Sequence, residues 1–194
     1  MHAIQRFLRR PLMYWRSRGF GIHSPFAYAL IKEVLAEKEE YYAYARLREA
    51  AAADFRFNSL IHRLVCRFTP ESVFIAGCDD AVNRAIDMAD SRIEFVADPS
   101  EARLVILGNE DESVFGEVVS RVKSIDSSLT VGSGTSLRKP LLTVVIRNLD
   151  RPSMEARWML LCASARCGMA FSNGLTGILC VSPHLPRQSF VLSF

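Results

Sequence analysis

The side chains best suited to chemistry in this 194-residue chain are five cysteines, four histidines and a short acidic turn. Cys78 lies in Ile75-Ala76-Gly77-Cys78-Asp79-Asp80, where an apolar run gives way to a helical pattern. A thiol at a helix start is acidified by the backbone amides and becomes a nucleophile. Asp79 and Asp80 oppose that, because neighbouring carboxylates disfavour a thiolate, so Cys78 reads as structural. Cys66, Cys162 and Cys180 fall in apolar patterns and are expected as small core residues. Cys162 and Cys167 have no second pair, and none of His2, His23, His62 and His184 stands at a ligand spacing, so no metal is expected. His23 is read as ordering the loop before a helix cap. Gly132-Ser133-Gly134-Thr135-Ser136 looks like a phosphate cradle, but it leads into a strand and lacks Gly-Lys-Ser/Thr, so it is read as a loop. Glu110-Asp111-Glu112 reads as an acidic helix start favoured by the helix dipole.

Behind these groups stands a chain that is 49% hydrophobic and 23% charged, with a net charge of +3. That composition excludes a disordered chain. No apolar run reaches the ~18 residues of a membrane span. No signal-peptide pattern opens the sequence, so the cysteines are expected reduced and the protein cytoplasmic. The charge is uneven. Residues 1–18 hold Arg6, Arg9, Arg10, Arg16 and Arg18 and no acid, leaving 19 basic and 21 acidic side chains elsewhere. This arm is read as a basic amphipathic helix packing on the domain; contact with an anionic membrane surface or nucleic acid is the alternative.

Ser24-Pro25 is a helix start, with Ser24 as cap and Pro25 at the first helical position. From there the pattern predicts helices to about residue 38, over 41–53 and over 58–68. After Pro70, apolar runs at 72–76, 93–97, 104–107, 141–146, 177–181 and 190–194 alternate with helical patterns at 80–89, 113–125 and 153–165. Continuous apolar strands separated by helices describe a parallel sheet covered on both faces. The last two runs, eight residues apart, are expected as an antiparallel hairpin, since a parallel crossover needs a dozen or so residues. Residues 98–102 are too few for a crossover helix, so a helix-plus-strand unit is expected to be missing there. The fold class is therefore α/β, a mostly parallel Rossmann-like sheet with helices on both faces, a C-terminal antiparallel hairpin and a helical extension. The extension is placed at 1–69 and the sheet domain at 70–194, as one structural unit. The turn at Gly77 has one glycine and two aspartates instead of G-x-G-x-x-G, which argues against a dinucleotide or nucleotide.

Gly19-Phe20-Gly21-Ile22-His23-Ser24-Pro25-Phe26, the lead helices and Gln188-Ser189-Phe190-Val191-Leu192-Ser193-Phe194 resemble a group of small class I S-adenosylmethionine-dependent methyltransferase-like proteins. The resemblance implies a Rossmann-like sheet and a cofactor crevice formed by Gly77, Cys78, Asp79, Asp98, Gly108 and Asn109. It also implies acids where this chain has others. Ile75 stands at the acid of the first-strand motif, Ala81 at a glycine, Leu107 at the Asp of Asp-Gly-Asn, and Arg147-Asn148 at a paired-Asp segment. Asp98 is the candidate for the ribose hydroxyls. Each buried polar group of a cofactor left without a partner costs ~1–3 kcal/mol. The expectation is a methyltransferase-like protein with a degraded site, bound to no cofactor and acting by binding or assembly, a homo-oligomer being one form. The alternatives are an active S-adenosylmethionine-dependent methyltransferase using those six residues, and a binder acting through the arginine arm.

Overall fold

The structure is a computed structural model that describes residues 21–50, 52–109, 111–125 and 139–194. The arginine arm, Glu110 and the Gly132–Ser136 stretch lie outside the described residues. The described elements, in chain order, are α1 (Pro25–Leu30) continued by a π turn (Ile31–Leu35), α2 (Ala43–Ala50), α3 (Phe55–Phe68), β1 (Ser72–Ala76), α4 (Asp80–Ala89) and β2 (Glu94–Phe95). They continue with β3 (Leu104–Leu107), α5 (Glu112–Ser124), β4 (Leu142–Arg147), α6 (Pro152–Ser164), β5 (Met169–Ser172), β6 (Thr176–Val181) and β7 (Gln188–Val191).

Seven strands form one sheet in the order β2-β1-β3-β4-β6-β5-β7. The first four are mutually parallel, and β6 is antiparallel to both β4 and β5. Alternate residues of each strand serve opposite faces. Val73, Leu104, Ile106, Val145, Phe171 and Ile178 pack under α1, α3 and α4. Phe74, Val105, Leu107, Val144, Ile146 and Leu179 pack under α5 and α6. The lead helices thus share a core with the sheet.

The two motifs at the chain's ends have packing roles. Ser24 Oγ accepts from the Ala27 amide at 3.3 Å, with Pro25 opening the helix, and the same hydroxyl contacts Met169 Sδ of β5 at 3.6 Å. Phe190 stacks on Phe171 with ring centroids 5.2 Å apart. Asn173 Nδ2 donates to the Phe194 carbonyl at 2.8 Å. Both motifs therefore converge on β5.

Several sequence expectations need correction. The antiparallel hairpin is present, but β5 and β6 form it, and the run at 190–194 contributes to β7, which lies parallel to β5. The strand at 169–172 was hidden in Cys167-Gly168-Met169-Ala170, whose small residues weaken the apolar signal. The helix expected to reach residue 38 leaves α geometry at Ile31, where the Ala36 amide reaches back five residues to the Ile31 carbonyl at 2.8 Å and Arg63 takes the Val34 carbonyl at 2.7 Å. Cys66 is exposed instead of buried.

The short link at 98–102 holds no helix; residues 98–101 form a turn closed by the Glu101 amide on the Asp98 carbonyl at 3.2 Å. It is not taut, because β2 pairs only with Ser72 and Val73, the level at which β3 begins. A two-residue strand leaves almost no height for the chain to recover. None of the described helices is long and apolar enough to cross a membrane.

Candidate functional site

Chain order reverses between β1 and β3: β2 lies on one side of β1, and β3 and β4 on the other. In an open α/β sheet the crevice beyond the carboxyl ends of such strands is where ligands bind. Here it is bounded by Gly77-Cys78-Asp79 after β1, Gly108-Asn109 after β3 and Asn148 after β4.

These loops are locked to one another. Gly77 has φ +65°, and a Cβ built on it would lie 2.2 Å from Asn109 Cγ. The room that glycine leaves at this position is therefore taken by the Asn109 side chain. A Cβ on Gly108 would lie 2.2 Å from the Gly77 carbonyl oxygen and 2.8 Å from Cys78 Sγ. The Gly108 amide donates to the Ala76 carbonyl at 2.8 Å, and Asn148 Nδ2 donates to the Gly108 carbonyl at 3.1 Å. Asn148 does so from a left-handed conformation, φ +62°, which Asn tolerates better than most residues.

One charged group beside the crevice is also matched. Arg147, at the end of β4, forms an ion pair with Asp54, the residue before α3, and its guanidinium lies 4.7 Å from the Phe57 ring centre. Its side chain is only 19% exposed. Burial pushes the Cys78 thiol up to about 11; Arg147 opposes the rise, and Asp79 and Asp54 add to it. Cys78 is therefore a neutral thiol near pH 7, chiefly through burial; of the two aspartates singled out in the sequence, Asp79 contributes and Asp80 does not. Asp79 is the cap residue of α4, without a side-chain cap bond.

Of the six residues singled out in the sequence, Gly77, Cys78, Asp79, Gly108 and Asn109 border this crevice. Asp98 is elsewhere. Its carboxylate accepts from the Ser100 amide at 2.7 Å, which holds it below the usual carboxylate range, with Arg121 of α5 contributing. Leu107, at the position where the resemblance implies an acid, is buried in the core under α5. Asp54 and Phe57 were missed. They lie 93 and 90 residues before Arg147, and nothing in the local sequence marks the pairing.

At the positions where the resemblance implies acceptors stand Leu107, the paired Arg147 and Asp98, which is engaged in the 98–101 turn, and the Asn109 side chain takes the space a Cβ on Gly77 would need. Two concavities of about 340 and 350 Å3 lie away from this crevice, one at the amino ends of β1, β3 and β4 and one beside α6. Asn58, one turn into α3 and fully buried, has no partner for either amide atom among the described residues. Cys66 and His62 approach to 3.8 Å on α3, but partial desolvation of the sulfur, on a residue exposed as a whole, raises the thiol pKa and burial lowers that of the imidazole, so they are not an activated pair. Among the described residues no group of three or more His, Cys, Asp and Glu could hold a metal. Comparison with known proteins found no family model, no curated protein and no solved structure that matches this chain.

Proposed function

We propose that this chain is a methyltransferase-like protein whose S-adenosylmethionine crevice has been closed by its own side chains, and that it acts by binding or assembly instead of catalysis. The observation that carries this reading is the contact between Asn109 and Gly77 at the switch point of the sheet. Glycine there is what a cofactor would need in order to approach the backbone, and the space it leaves is occupied from within. The Arg147–Asp54 pair supports the same reading, because a paired cation stands where the resemblance implies acids. A parallel sheet closing on an antiparallel hairpin agrees with the fold that the resemblance implies.

Isothermal titration of the full chain with S-adenosylmethionine, and separately with S-adenosylhomocysteine, tests the proposal. The expected result is no binding tighter than about 1 mM. Saturable binding in the micromolar range would overturn it and restore an active methyltransferase as the working reading.

A further inference from the structure

Helix α6 is apolar on two opposite sides. At 3.6 residues per turn, Met154, Leu161 and Ala165 fall on one face, and all three are buried against the sheet. Ala156, Met159, Leu160 and Ala163 fall on the reverse face, and all four are exposed, Met159 at 65% and Leu160 at 52%. A surface helix normally turns polar side chains to that side. The spacing i, i+3, i+4, i+7, with small residues at both ends, is the pattern of a helix-packing seam. Met159 and Ala163 also form one wall of the groove of about 350 Å3 beside α6, which runs on to Phe190 and Val191 of β7.

We infer that this seam is the interface of a two-fold dimer, in which α6 packs antiparallel on α6 of a second copy of the chain. Two features select a second copy. A two-fold contact must be self-complementary, and the stripe is palindromic: reversing the helix places Ala156 opposite Ala163, and Met159 opposite Leu160. The charges beside it also match in this orientation only. Glu155, at the amino end of the stripe, makes no ion pair among the described residues. Arg187 is fixed at the carboxyl end by donating to the Cys162 and Ala163 carbonyls at 3.3 and 3.4 Å. Glu155 and Cys162 are seven residues apart and so share one flank. An antiparallel pair brings Glu155 to the partner subunit's Arg187 twice, whereas a parallel pair leaves the two at opposite ends of the seam. No acid follows Glu155 in the sequence, so the carboxyl end of the seam carries no competing carboxylate. The stripe covers only about two helical turns, which makes a weak dimer with Kd in the micromolar range. The inference concerns α6 alone and stands whichever way the crevice titration falls.

Sedimentation velocity or light scattering on the full chain from about 1 to 100 µM tests it, with a monomer–dimer equilibrium expected over that range. Met159→Glu and Leu160→Glu should each weaken the dimer by about tenfold or more. Both positions are exposed, so the thermal midpoint at low concentration should not move. The double variant Ala156→Cys/Ala163→Cys should form an intermolecular disulfide under mild oxidation, unlike either single variant or the natural chain with its own five cysteines. A chain that stays monomeric at 100 µM, a dimer that survives both glutamate substitutions, or crosslinking by Ala156→Cys alone at the rate of the double variant would overturn the proposal.

Discussion

At the carboxyl ends of β1 and β3 the topology offers a ligand crevice, and neighbouring loops take the space beside Gly77 and Gly108. On the outer face of α6 the topology asks for no binding surface, and the side chains leave one open. In the crevice, polar groups find partners: Asn148 on Gly108, Arg147 on Asp54. On α6 two large apolar side chains face outward with nothing described against them. The fold therefore does not by itself locate function. What distinguishes the two regions is whether each side chain is satisfied within the chain.

The strongest way to break that comparison is to unlock the crevice. A methyl at Gly108 meets the Gly77 carbonyl and the Cys78 sulfur, and relief would require stretching the Gly108 amide from the Ala76 carbonyl. Gly108→Ala should therefore cost about 3 kcal/mol, the upper end for overpacking, read as a fall in the denaturation midpoint. Gly116→Ala in α5 is the control, because nothing lies within 4 Å of its added Cβ. There the gain in helix propensity should stabilise by ~0.5–1 kcal/mol. If Gly108→Ala were as benign as Gly116→Ala, the loops would not be packed as described and the crevice would not be closed.

This contrast also shows how far sequence reading reaches. The alternation of apolar runs and helical patterns was enough for the α/β class, and cap chemistry was enough for Ser24-Pro25, because both depend on neighbours along the chain. Asp111 behaves likewise, accepting from the Ser113 amide at 3.0 Å to start α5. Pairing across the sheet was not legible. The hairpin was assigned to the wrong strands because β5 is short and begins after Gly168, while the run at 190–194, expected against 177–181, lies on the other side of β5, with Phe190 on Phe171. In the crevice, Gly77 and Gly108 could be named from their position after apolar runs. That each makes room for the other's loop could not, since the register between β1 and β3 fixes it. The apolar reverse face of α6 was present in the sequence but was read only as part of a helical pattern at 153–165, and burial was needed to separate its two sides.

A moderate effect is expected at Asn58, one helical turn beyond Asp54. Its amide is buried without partners, and a group in that state costs free energy that an apolar side chain of similar size does not. Asn58→Leu should leave stability unchanged or raise it by up to ~1–2 kcal/mol in thermal or chemical denaturation. A clear loss would mean that the amide is bonded to a water or a small ligand under the crevice edge. The crevice would then resemble the α6 face in having an unmet demand, and the comparison would weaken.

The smallest effect separates two readings of Asp98. As a ribose anchor it would sit at the crevice, and its loss would alter ligand binding while leaving the fold alone. In the structure its carboxylate accepts from the Ser100 amide, which holds its pKa below the usual value. A carboxyl with a lowered folded-state pKa adds stability above its unfolded pKa, and that contribution fades as pH falls through the lowered value. Asp98→Ala should therefore slightly flatten the acid limb of the stability–pH curve, leave stability above pH 8 only marginally lower, and change no S-adenosylmethionine titration. An unchanged acid limb together with altered ligand binding would place Asp98 in the crevice after all. The turn at 98–101 would then be a loop able to reach the switch point, and the short β2–β3 link would have to be read as part of a working site instead of a structural turn.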